Sequence, residues 1–509
     1  MTPKKNRKLQ RNRGRKAGGQ YHQQGILHWE FLGLAIIVLV TLIFHFATIL
    51  RPPTIVWDEK YYVGDARSII SGTGELRPEH PPLAKLFIVA GEYIFNGFKT
   101  PEKYTGAMVI QPLSGDETNN TIQVNNAFKF TAGQTIRIES EQMTVMDVNP
   151  AFNQITVERE AGGTSATSHD IFQKIYVFTD NAFNWRFFSI IFSTIGIIVF
   201  YFICRKLKFS WQATMLATFL FAFEDMTFIH SSLALLDVYM VTFMLAAVLA
   251  YLHEKYIWMG IFVALSANCK LFGVLILIAL FIHWAIYRKN KWKLFSISMV
   301  LAAVFFVVFL VFFDIFIKGG VENPITRIND MFVPTVGNQF TIPKFSYSSR
   351  PWTWIYPQFV ALQNGYNFPS IAYHYDPQYI SFISSTIQIL IIPTIGYMIY
   401  KVIKKSQTAD LVLLWFIATY LIWIPMDIVT NRVTFVFYFL STTPAICIGI
   451  AMALSDWLDH IKNRRLMLNR TTPLQRTGYI VIGLYLLIHL AIWLIFNPVF
   501  PVIFKPYTG

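Results

Sequence analysis

Residues 31–50 read FLGLAIIVLVTLIFHFATIL, a run of 20 residues that contains no Asp, Glu, Lys or Arg. A helix of that length crosses the hydrocarbon core of a bilayer, where each backbone polar group must be satisfied within its own helix. Similar apolar runs recur near residues 187–204, 212–229, 232–252, 257–269, 271–287, 294–317, 379–400, 409–425, 433–454 and 479–504. The sequence therefore predicts a polytopic α-helical membrane protein with about 11 transmembrane helices.

The composition of the 509 residues excludes a soluble globular protein. Apolar residues make up 54% and aromatic residues 16%, whereas charged residues make up only 14%, well below the roughly 25% of ordinary soluble domains. A soluble protein of this composition would leave much of its apolar surface unburied. The three cysteines lie within or beside apolar runs, so no disulfide framework is indicated.

The net charge of +14 is distributed asymmetrically about the predicted spans. Residues 1–16 contain eight basic residues and no acid, which predicts a cytoplasmic N-terminus and a retained first span rather than a cleaved signal peptide. Nucleic-acid binding by this tail is the less favoured alternative. Alternating the spans from this start makes the Lys- and Arg-rich connections cytoplasmic, namely 205–211, 253–256, 288–293, 401–408 and 455–478. The segments 51–186 and 318–378 then face outward.

Residues 119–178 differ from the rest of the chain in their pattern. The runs TIRI (135–138), TVMDV (144–148) and ITVE (155–158) alternate in polarity and are separated by turn residues, which is typical of antiparallel strands. We therefore expect a small β-rich insertion in the first external loop. It could bind a ligand or serve as a spacer or lid. Asn119-Asn120-Thr121 also fits a glycosylation acceptor.

Two adjacent acids, Asp58 and Glu59, follow the first span in the segment VWDEKYY (56–62). Next to a bilayer and flanked by aromatic rings, one carboxylate can be partly desolvated, which raises its pKa and suits a general base. The alternative is an interfacial aromatic belt with solvated acids.

Several cations and acids lie at helix ends that the predicted topology places on the same outer side. His80 and Lys85, in EHPPLAK (79–85), lie at a predicted helix entrance that could hold a phosphate. In SSRPWTW (348–354), Arg350 could bind a phosphate and Trp352 could stack on a sugar. Ionisable groups at span ends are functional candidates because burying them unpaired is unfavourable. These are Arg186, Glu224, Asp225, His230, Asp237, Lys270, Asp314, Asp427 and Arg432.

In their order along nearly the whole chain, these motifs resemble the protein O-mannosyltransferase family, membrane glycosyltransferases of the GT-C type. The corresponding segments are Asp58-Glu59, HPPLAK (80–85), NWR (184–186), LLD (235–237), ANCKLFG (267–273), SRPWTW (349–354) and NRVTF (431–435). The number of spans and the inside N-terminus agree with that family. The resemblance therefore implies a GT-C fold.

The resemblance also implies a reaction. Mannose would pass from a polyprenyl (dolichyl) phosphate donor to Ser or Thr hydroxyls of exported proteins, with inversion at the anomeric carbon. Asp58 would act as the general base and Glu59 would orient Asp58 or the acceptor. The residues that would bind the donor phosphate or sugar are His80, Lys85, Arg186, Asp237, Lys270, Arg350, Trp352 and Arg432.

No cofactor or metal site is assigned, although Asp58, Glu59 and Asp237 could in principle ligate a divalent cation. The expected partners are a polyprenyl-phosphate sugar lipid, a Ser/Thr-containing acceptor protein and the membrane, and no nucleic acid. The alternatives are a GT-C transferase with a glycan or lipid acceptor and, less favoured, a membrane transporter. Because this chain has no counterpart of the family's MIR domain, a prokaryotic plasma membrane is the expected location, with the active site facing outside.

These predictions divide the chain into six parts. They are a basic cytoplasmic tail (1–30), the first span with the catalytic external loop (31–118), the β-rich insertion (119–178), a transmembrane core (179–317), an external loop (318–378) and a C-terminal transmembrane bundle (379–509).

Overall fold

The computed structural model of the protein describes residues 29–337, 348–356, 381–466 and 473–499. Nearly all of the predicted basic tail and most of the predicted loop 318–378 beyond residue 337 lie outside the described residues. The helices are α1 (Trp29–Thr48), α2 (Glu59–Ile70), α3 (Pro82–Phe95), α4 (Ala182–Lys206), α5 (Trp211–Ala222), α6 (Asp225–Ser232), α7 (Asp237–Leu252), α8 (Tyr256–Cys269), α9 (Ile276–Tyr287), α10 (Trp292–Lys318), α11 (Pro324–Gly337), α12 (Ser385–Ile403), α13 (Gln407–Phe416), α14 (Trp423–Thr430), α15 (Thr443–Leu466) and α16 (Pro473–Phe496).

Membrane-spanning helices dominate the described part of the chain. Six helical segments are long and apolar enough to cross a bilayer: α1, α4, α10, α12, Gln407–Thr430 and α16. The α6–α7 pair, bent by 117°, makes a seventh if it is counted as one span. The shorter apolar helices α5, α8 and Leu271–Tyr287 fall within further predicted spans. This architecture confirms the prediction of a polytopic helical membrane protein.

Several of the predicted spans are not continuous α-helices, and two of them show how. The predicted span 212–229 is interrupted because α5 ends at Ala222 and a new helix begins at Asp225. Glu224 fixes this start, since its carboxylate accepts the backbone N–H of Thr227 at 2.7 Å. The predicted span 433–454 starts with a 3₁₀ segment, Val436–Ser441, and only then enters α15.

The predicted β-rich insertion is a six-stranded antiparallel sheet, with the strand order β1-β6-β3-β4-β5-β2. Its strands are β1 (Glu102–Met108), β2 (Thr121–Gln123), β3 (Thr135–Ile138), β4 (Glu141–Asn149), β5 (Gln154–Ala161) and β6 (Lys174–Phe178). The alternating residues of these strands form a separate apolar core that includes Ile136, Ile138, Val145 and Val157. We call residues 102–178 the β-module.

Several of the predicted site residues lie where helices break. Helix α2 follows directly on α1 through residues 49–58, and α6 and α7 meet at a sharp bend. A second break separates α8 from a 3₁₀ turn, Leu271–Leu275. Irregular backbone at membrane depth is tolerated where protein or a cavity surrounds it, so such breaks commonly carry binding groups.

Candidate active site

The adjacent acids Asp58 and Glu59 have opposite surroundings. Glu59 is completely buried and accepts two hydrogen bonds from Arg186, at 2.8 and 2.7 Å, and one each from the backbone N–H groups of Val56 and Ala234 at 2.9 Å. Asp58 occupies the N-cap position of α2 without capping it and is partly exposed. Within the described ranges, no donor or cation bonds to its carboxylate. Of the two acids, only Asp58 is available to a substrate.

Trp57 sets the direction from which the chain enters α2. Its φ of 52° lies in the left-handed region, which is strained for an aromatic residue. The indole packs edge-on against His230, with ring centroids 5.4 Å apart, and against Phe437 at 5.1 Å. This packing holds the strained backbone immediately before Asp58.

The carboxyl group of Asp58 is less acidic than an ordinary aspartate. Burial raises its pKa to about 6, the positive charge of Lys270 opposes that rise, and the negative charge of Asp237 adds to it. Lys60 and Arg77 also lower this pKa. Asp58 is therefore ionised at neutral pH while remaining a stronger base than a solvated aspartate.

Asp237 and Lys270 form an ion pair next to Asp58. The Lys270 ammonium donates to both oxygens of Asp237, at 2.8 and 2.9 Å, and lies 4.9 Å from the ring centroid of Phe437. Asp237 opens α7 after the bend, and Lys270 has an extended backbone between α8 and the 3₁₀ turn. The two helix breaks thus bring an anion and a cation from distant parts of the chain to one place.

Lys85 and Arg186, both predicted to bind the donor, are enclosed by protein groups. Lys85 is buried and contacts Asp65 at 2.8 Å, Glu75 at 3.0 Å and the backbone carbonyl of Arg77. Besides binding Glu59, Arg186 donates to the carbonyls of Ile49, Pro52 and Thr54 at 3.0–3.1 Å. These contacts use the donors of both side chains.

His80 lies among cations and packs edge-on against Tyr62, with ring centroids 5.5 Å apart. Burial lowers the pKa of His80, and the charges of Lys85, Lys270, Arg77 and Arg432 lower it further. The imidazole is therefore neutral at physiological pH.

Arg350, Trp352 and Arg432 lie on two neighbouring segments. Arg350 donates to both oxygens of Asp427 at 3.0 and 2.9 Å and to Asn431, and it contacts the exposed ring of Trp352. Ser349 and Thr434 join the segments through backbone and hydroxyl hydrogen bonds. Arg432 lies over the ring of Phe272 and, among the described residues, forms no ion pair.

The other ionisable residues predicted at span ends have varied surroundings. Glu224 caps α6 and Asp314 pairs with Arg327 at 3.0 Å, whereas His230 lies 3.8 Å from Asp237. Asp225 is buried next to Glu224.

The predicted oxygen ligands for a divalent cation do not form a ligand set. Glu59 binds Arg186 and Asp237 binds Lys270, which leaves Asp58 alone of the three. In the part of the chain that the structure describes, no group of three or more His, Cys, Asp or Glu side chains is arranged to hold a metal ion.

Of the predicted site residues, Lys270 and Asp237 lie within electrostatic range of Asp58, and Lys85, Lys270 and Arg432 lie within electrostatic range of His80. Sequence analysis missed Arg77 and the two tyrosines of the site, Tyr61 and Tyr62. Arg77 precedes the His80-Pro81-Pro82 motif by only three positions, so a search for cations near that motif could have found it.

Comparisons with known proteins report what this chain is similar to. A family model described as "Dolichyl-phosphate-mannose-protein mannosyltransferase" matches residues 145–320, a range that contains Arg186, Asp237 and Lys270 but not Asp58. No curated protein sequence gives a significant match.

A solved membrane glycosyltransferase structure shares the fold, and two others match more weakly. The protein O-mannosyltransferase Pmt1-Pmt2 complex of S. cerevisiae, bound to the sugar donor, matches with a TM-score of 0.62 at 10% identity, over 94% of this chain and 91% of that chain. ArnT from Cupriavidus metallidurans, bound to undecaprenyl phosphate, gives a TM-score of 0.49 at 11% identity, over 92% and 70% of the two chains. The oligosaccharyltransferase of Archaeoglobus fulgidus gives 0.46 at 14% identity, over 93% and 55%.

Proposed function

We propose that this protein, a glycosyltransferase similar to the dolichyl-phosphate-mannose-protein mannosyltransferases, transfers mannose from a polyprenyl phosphate donor to Ser or Thr hydroxyls of exported proteins. The observation that carries the proposal is the contrast between two neighbouring acids. Glu59 is saturated by Arg186 and two backbone N–H groups, whereas Asp58 has no partner among the described residues and is partly exposed. Asp58 is therefore the general base.

The reaction is a single displacement. The acceptor hydroxyl oxygen attacks the anomeric carbon, Asp58 takes the hydroxyl proton, and the bond from the anomeric carbon to the phosphate oxygen breaks. Its electron pair leaves with the polyprenyl phosphate, which gains one negative charge. Attack from the face opposite the leaving group inverts the anomeric centre. The pKa of Asp58 near 6 suits this role, because the carboxylate is ionised at neutral pH and accepts the proton more readily than a solvated aspartate.

The growing negative charge on the phosphate requires cations rather than an acid. Lys270 and Arg432 are the best placed of the predicted residues, because Asp237 alone holds Lys270 and Arg432 has no ion pair within the described ranges. Arg350 is oriented by Asp427 and Asn431 on the segment next to Arg432. Trp352, with its exposed ring, is the candidate for stacking on the sugar.

Lys85 and Arg186 support the site indirectly. Arg186 ties Glu59 to the carbonyls of residues 49–54, so it fixes the turn on which Asp58 lies. Lys85 binds the backbone carbonyl of Arg77, which also accepts the backbone N–H of His80, so Lys85 fixes the chain segment that leads to His80. Both are positioning residues in this proposal, and the outward-facing orientation in a prokaryotic plasma membrane is part of the same proposal.

The experiment that tests the function uses the protein purified in lipid nanodiscs, labelled polyprenyl-phosphate mannose and a Ser/Thr-rich peptide. We expect alkali-labile label on the peptide. We expect Asp58→Asn to lower the rate by about 10²- to 10⁴-fold, the usual contribution of a general base. Asp147→Asn, the same chemical change at an exposed position of β4, is the matched control and should retain full activity.

Two outcomes would contradict the proposal. Consumption of the donor without peptide labelling would transfer the assignment to a glycan or lipid acceptor. Full activity of Asp58→Asn would reject Asp58 as the base.

A further inference from the structure

The β-module contacts helix α2 through Gln142 of β4 and through the turn that follows β5. Residues 162–164 follow β5, and Thr164 is joined to the buried Gln142 of β4, whose backbone N–H donates to the Thr164 hydroxyl at 3.1 Å. The Gln142 side chain in turn donates to the Gly64 carbonyl and the Ser68 hydroxyl of α2, each at 3.0 Å. The module is therefore hydrogen-bonded directly to the helix that Asp58 begins.

Two glycines allow this contact to be close. A β-carbon on Gly64 would collide with the backbone of Gly162, so the helix and the turn meet backbone to backbone. The next residue, Gly163, has a φ of +77°, and a β-carbon there would collide with the guanidinium of Arg77. The backbone of this turn therefore packs directly against the Arg77 side chain.

Arg77 is held from other directions as well. Its guanidinium carbon lies 4.1 Å from the ring centroid of Tyr61, and its backbone carbonyl accepts hydrogen bonds from the Lys85 ammonium and from the His80 backbone N–H at 3.2 Å. Arg77 is half-buried, and no carboxylate lies within ion-pair distance of its guanidinium among the described residues. A positioned arginine without a counter-ion is suited to bind an anion through two N–H groups.

The charges near Arg77 indicate which anion fits. Lys270, Arg77 and Arg432 all act on His80, and Lys60 and Arg77 both act on Asp58. Several cations repel one another unless a group of opposite charge joins them, and a phosphate whose charge grows during the reaction is such a group.

We propose that Arg77, positioned by Tyr61 and by Gly163 of the β-module, binds the phosphate of the lipid-linked donor, so that the β-module forms part of the donor site. This inference rests on the proposed function only in taking a polyprenyl phosphate as the donor. It requires neither a peptide acceptor nor Asp58 as the base.

One glycine substitution tests the contact between Gly163 and Arg77, and a second serves as its control. Gly163→Ala places a methyl group where the Arg77 guanidinium lies, and the flexible side chain can move aside. Gly133→Ala, also in the β-module, has a similar φ of +88° and open space around it, so it introduces comparable backbone strain without touching Arg77. We therefore expect the two variants to have similar melting temperatures.

Their binding of polyprenyl phosphate should differ. We measure the Kd of polyprenyl phosphate for each variant in nanodiscs and, with the labelled donor, kcat and KM. Arg77→Gln should weaken binding by about 10- to 100-fold, the range of a hydrogen bond to a charged group. Gly163→Ala should weaken it in the same direction and raise KM more than it lowers kcat. Gly133→Ala should match the parent protein.

Equal Kd values for Gly163→Ala and Gly133→Ala, or a parental Kd for Arg77→Gln, would overturn the inference. A parent protein that does not bind polyprenyl phosphate would overturn it together with the donor assignment. If Arg77→Gln weakens binding while no peptide is labelled, the inference stands and only the proposed acceptor fails.

Discussion

Two groups of charges meet at α2, and they differ in how completely they are paired. On α2 and α3 and next to them, buried charges have several partners, as in the Glu59–Arg186 pair and in the contacts of Lys85 with Asp65 and Glu75. We call these the closed network. At the candidate active site, three charged side chains form no ion pair among the described residues, namely Asp58, Arg77 and Arg432. A fourth, Lys270, has one close carboxylate partner. We call these the open group.

Under the proposed function, the paired charges of the closed network hold the site in place, and the charges of the open group act on the substrate. A charge in the closed network cannot bind a substrate without abandoning a buried partner, and a buried charge left alone is strongly unfavourable. A charge in the open group loses little when a substrate arrives. Residue type alone therefore does not predict a residue's role. Lys85 and Lys270 are both lysines, and Arg186 and Arg432 are both arginines, but the members of each pair belong to different groups.

The closed network extends well beyond the two acids. Glu75 also binds Arg327 of α11 at 2.9 Å, and Arg327 binds Asp314 of α10 at 3.0 Å. The connection between α2 and α3, which carries Arg77 and His80, is thus fixed by charges on two other helices, α10 and α11. This explains how a segment outside the long apolar helices keeps a defined position.

The largest expected effect comes from breaking the closed network at Glu59. Glu59→Gln removes the charge that Arg186 requires in a fully buried site, and we expect it to lower the free energy of unfolding by about 3–5 kcal/mol. Thermal unfolding in nanodiscs measures the effect. The neighbouring Asp58→Asn is the control. It should melt no lower than the parent at pH 8, because burial disfavours the ionised Asp58 that it removes. A parental melting temperature for Glu59→Gln would reject the distinction between the two groups.

The second prediction concerns pH and the open group. Since Asp58 must be ionised to act as base and its pKa is about 6, kcat/KM should fall about tenfold per pH unit below that value and level off above it. A pH–rate profile of the labelled-donor reaction measures this limb. A profile that stays flat down to about pH 4.5 would indicate an ordinary solvated aspartate.

Substitutions of the two neighbours of Asp58 should move this limb in opposite directions. Lys270→Met removes a positive charge that lowers the pKa of Asp58, so the limb should move to higher pH, and loss of the phosphate contact should reduce kcat/KM by about 10- to 100-fold. Asp237→Asn removes a negative charge that raises this pKa, so its limb should move to lower pH. A shift in the same direction for both variants would mean that at least one of the two charges does not act on Asp58 in this way.

The sequence indicated the secondary structure and the candidate charged residues, but it did not indicate which of these residues are paired with one another. The Asp58-Glu59 pair, the helices and the alternating strands of the β-module follow from local pattern, and each has a counterpart in the structure. What the sequence did not provide is the partner of each charge. Arg186 and Glu59 are 127 positions apart, so nothing local distinguishes a saturated arginine from an available one.

The helix breaks were equally hidden from sequence analysis. An apolar run continues through Phe223, but Glu224 turns back to cap α6. Hydropathy averages over Glu224 and Asp225, so the predicted span 212–229 did not show the break between α5 and α6. Arg77 was missed because its importance depends on Gly163, which approaches it only after the β-module has folded.

The smallest expected effect concerns a closed cluster inside the β-module. One ring nitrogen of His169 lies 2.7 Å from Glu139 and the other lies 2.9 Å from Glu141, and Arg159 also binds Glu141. Burial lowers the pKa of His169, but the bonds to both carboxylates outweigh it, so the pKa is raised. The resulting stabilisation is fully present below the unfolded value of about 6.5 and is lost as pH rises through the folded pKa.

We therefore expect amide hydrogen exchange in β4 to become faster, relative to intrinsic exchange, as pH rises above neutrality. His169→Gln should remove this pH dependence and destabilise the module by about 1.5–3 kcal/mol, the range for a hydrogen bond to a charged group. Because a rise in pH activates Asp58 and weakens the His169 cluster, the two groups respond to the same variable in opposite ways. If donor binding also weakens in His169→Gln, the β-module transmits its stability to Arg77 through Gly163. If exchange in β4 keeps the parental pH dependence in this variant, the imidazolium is not what stabilises the sheet.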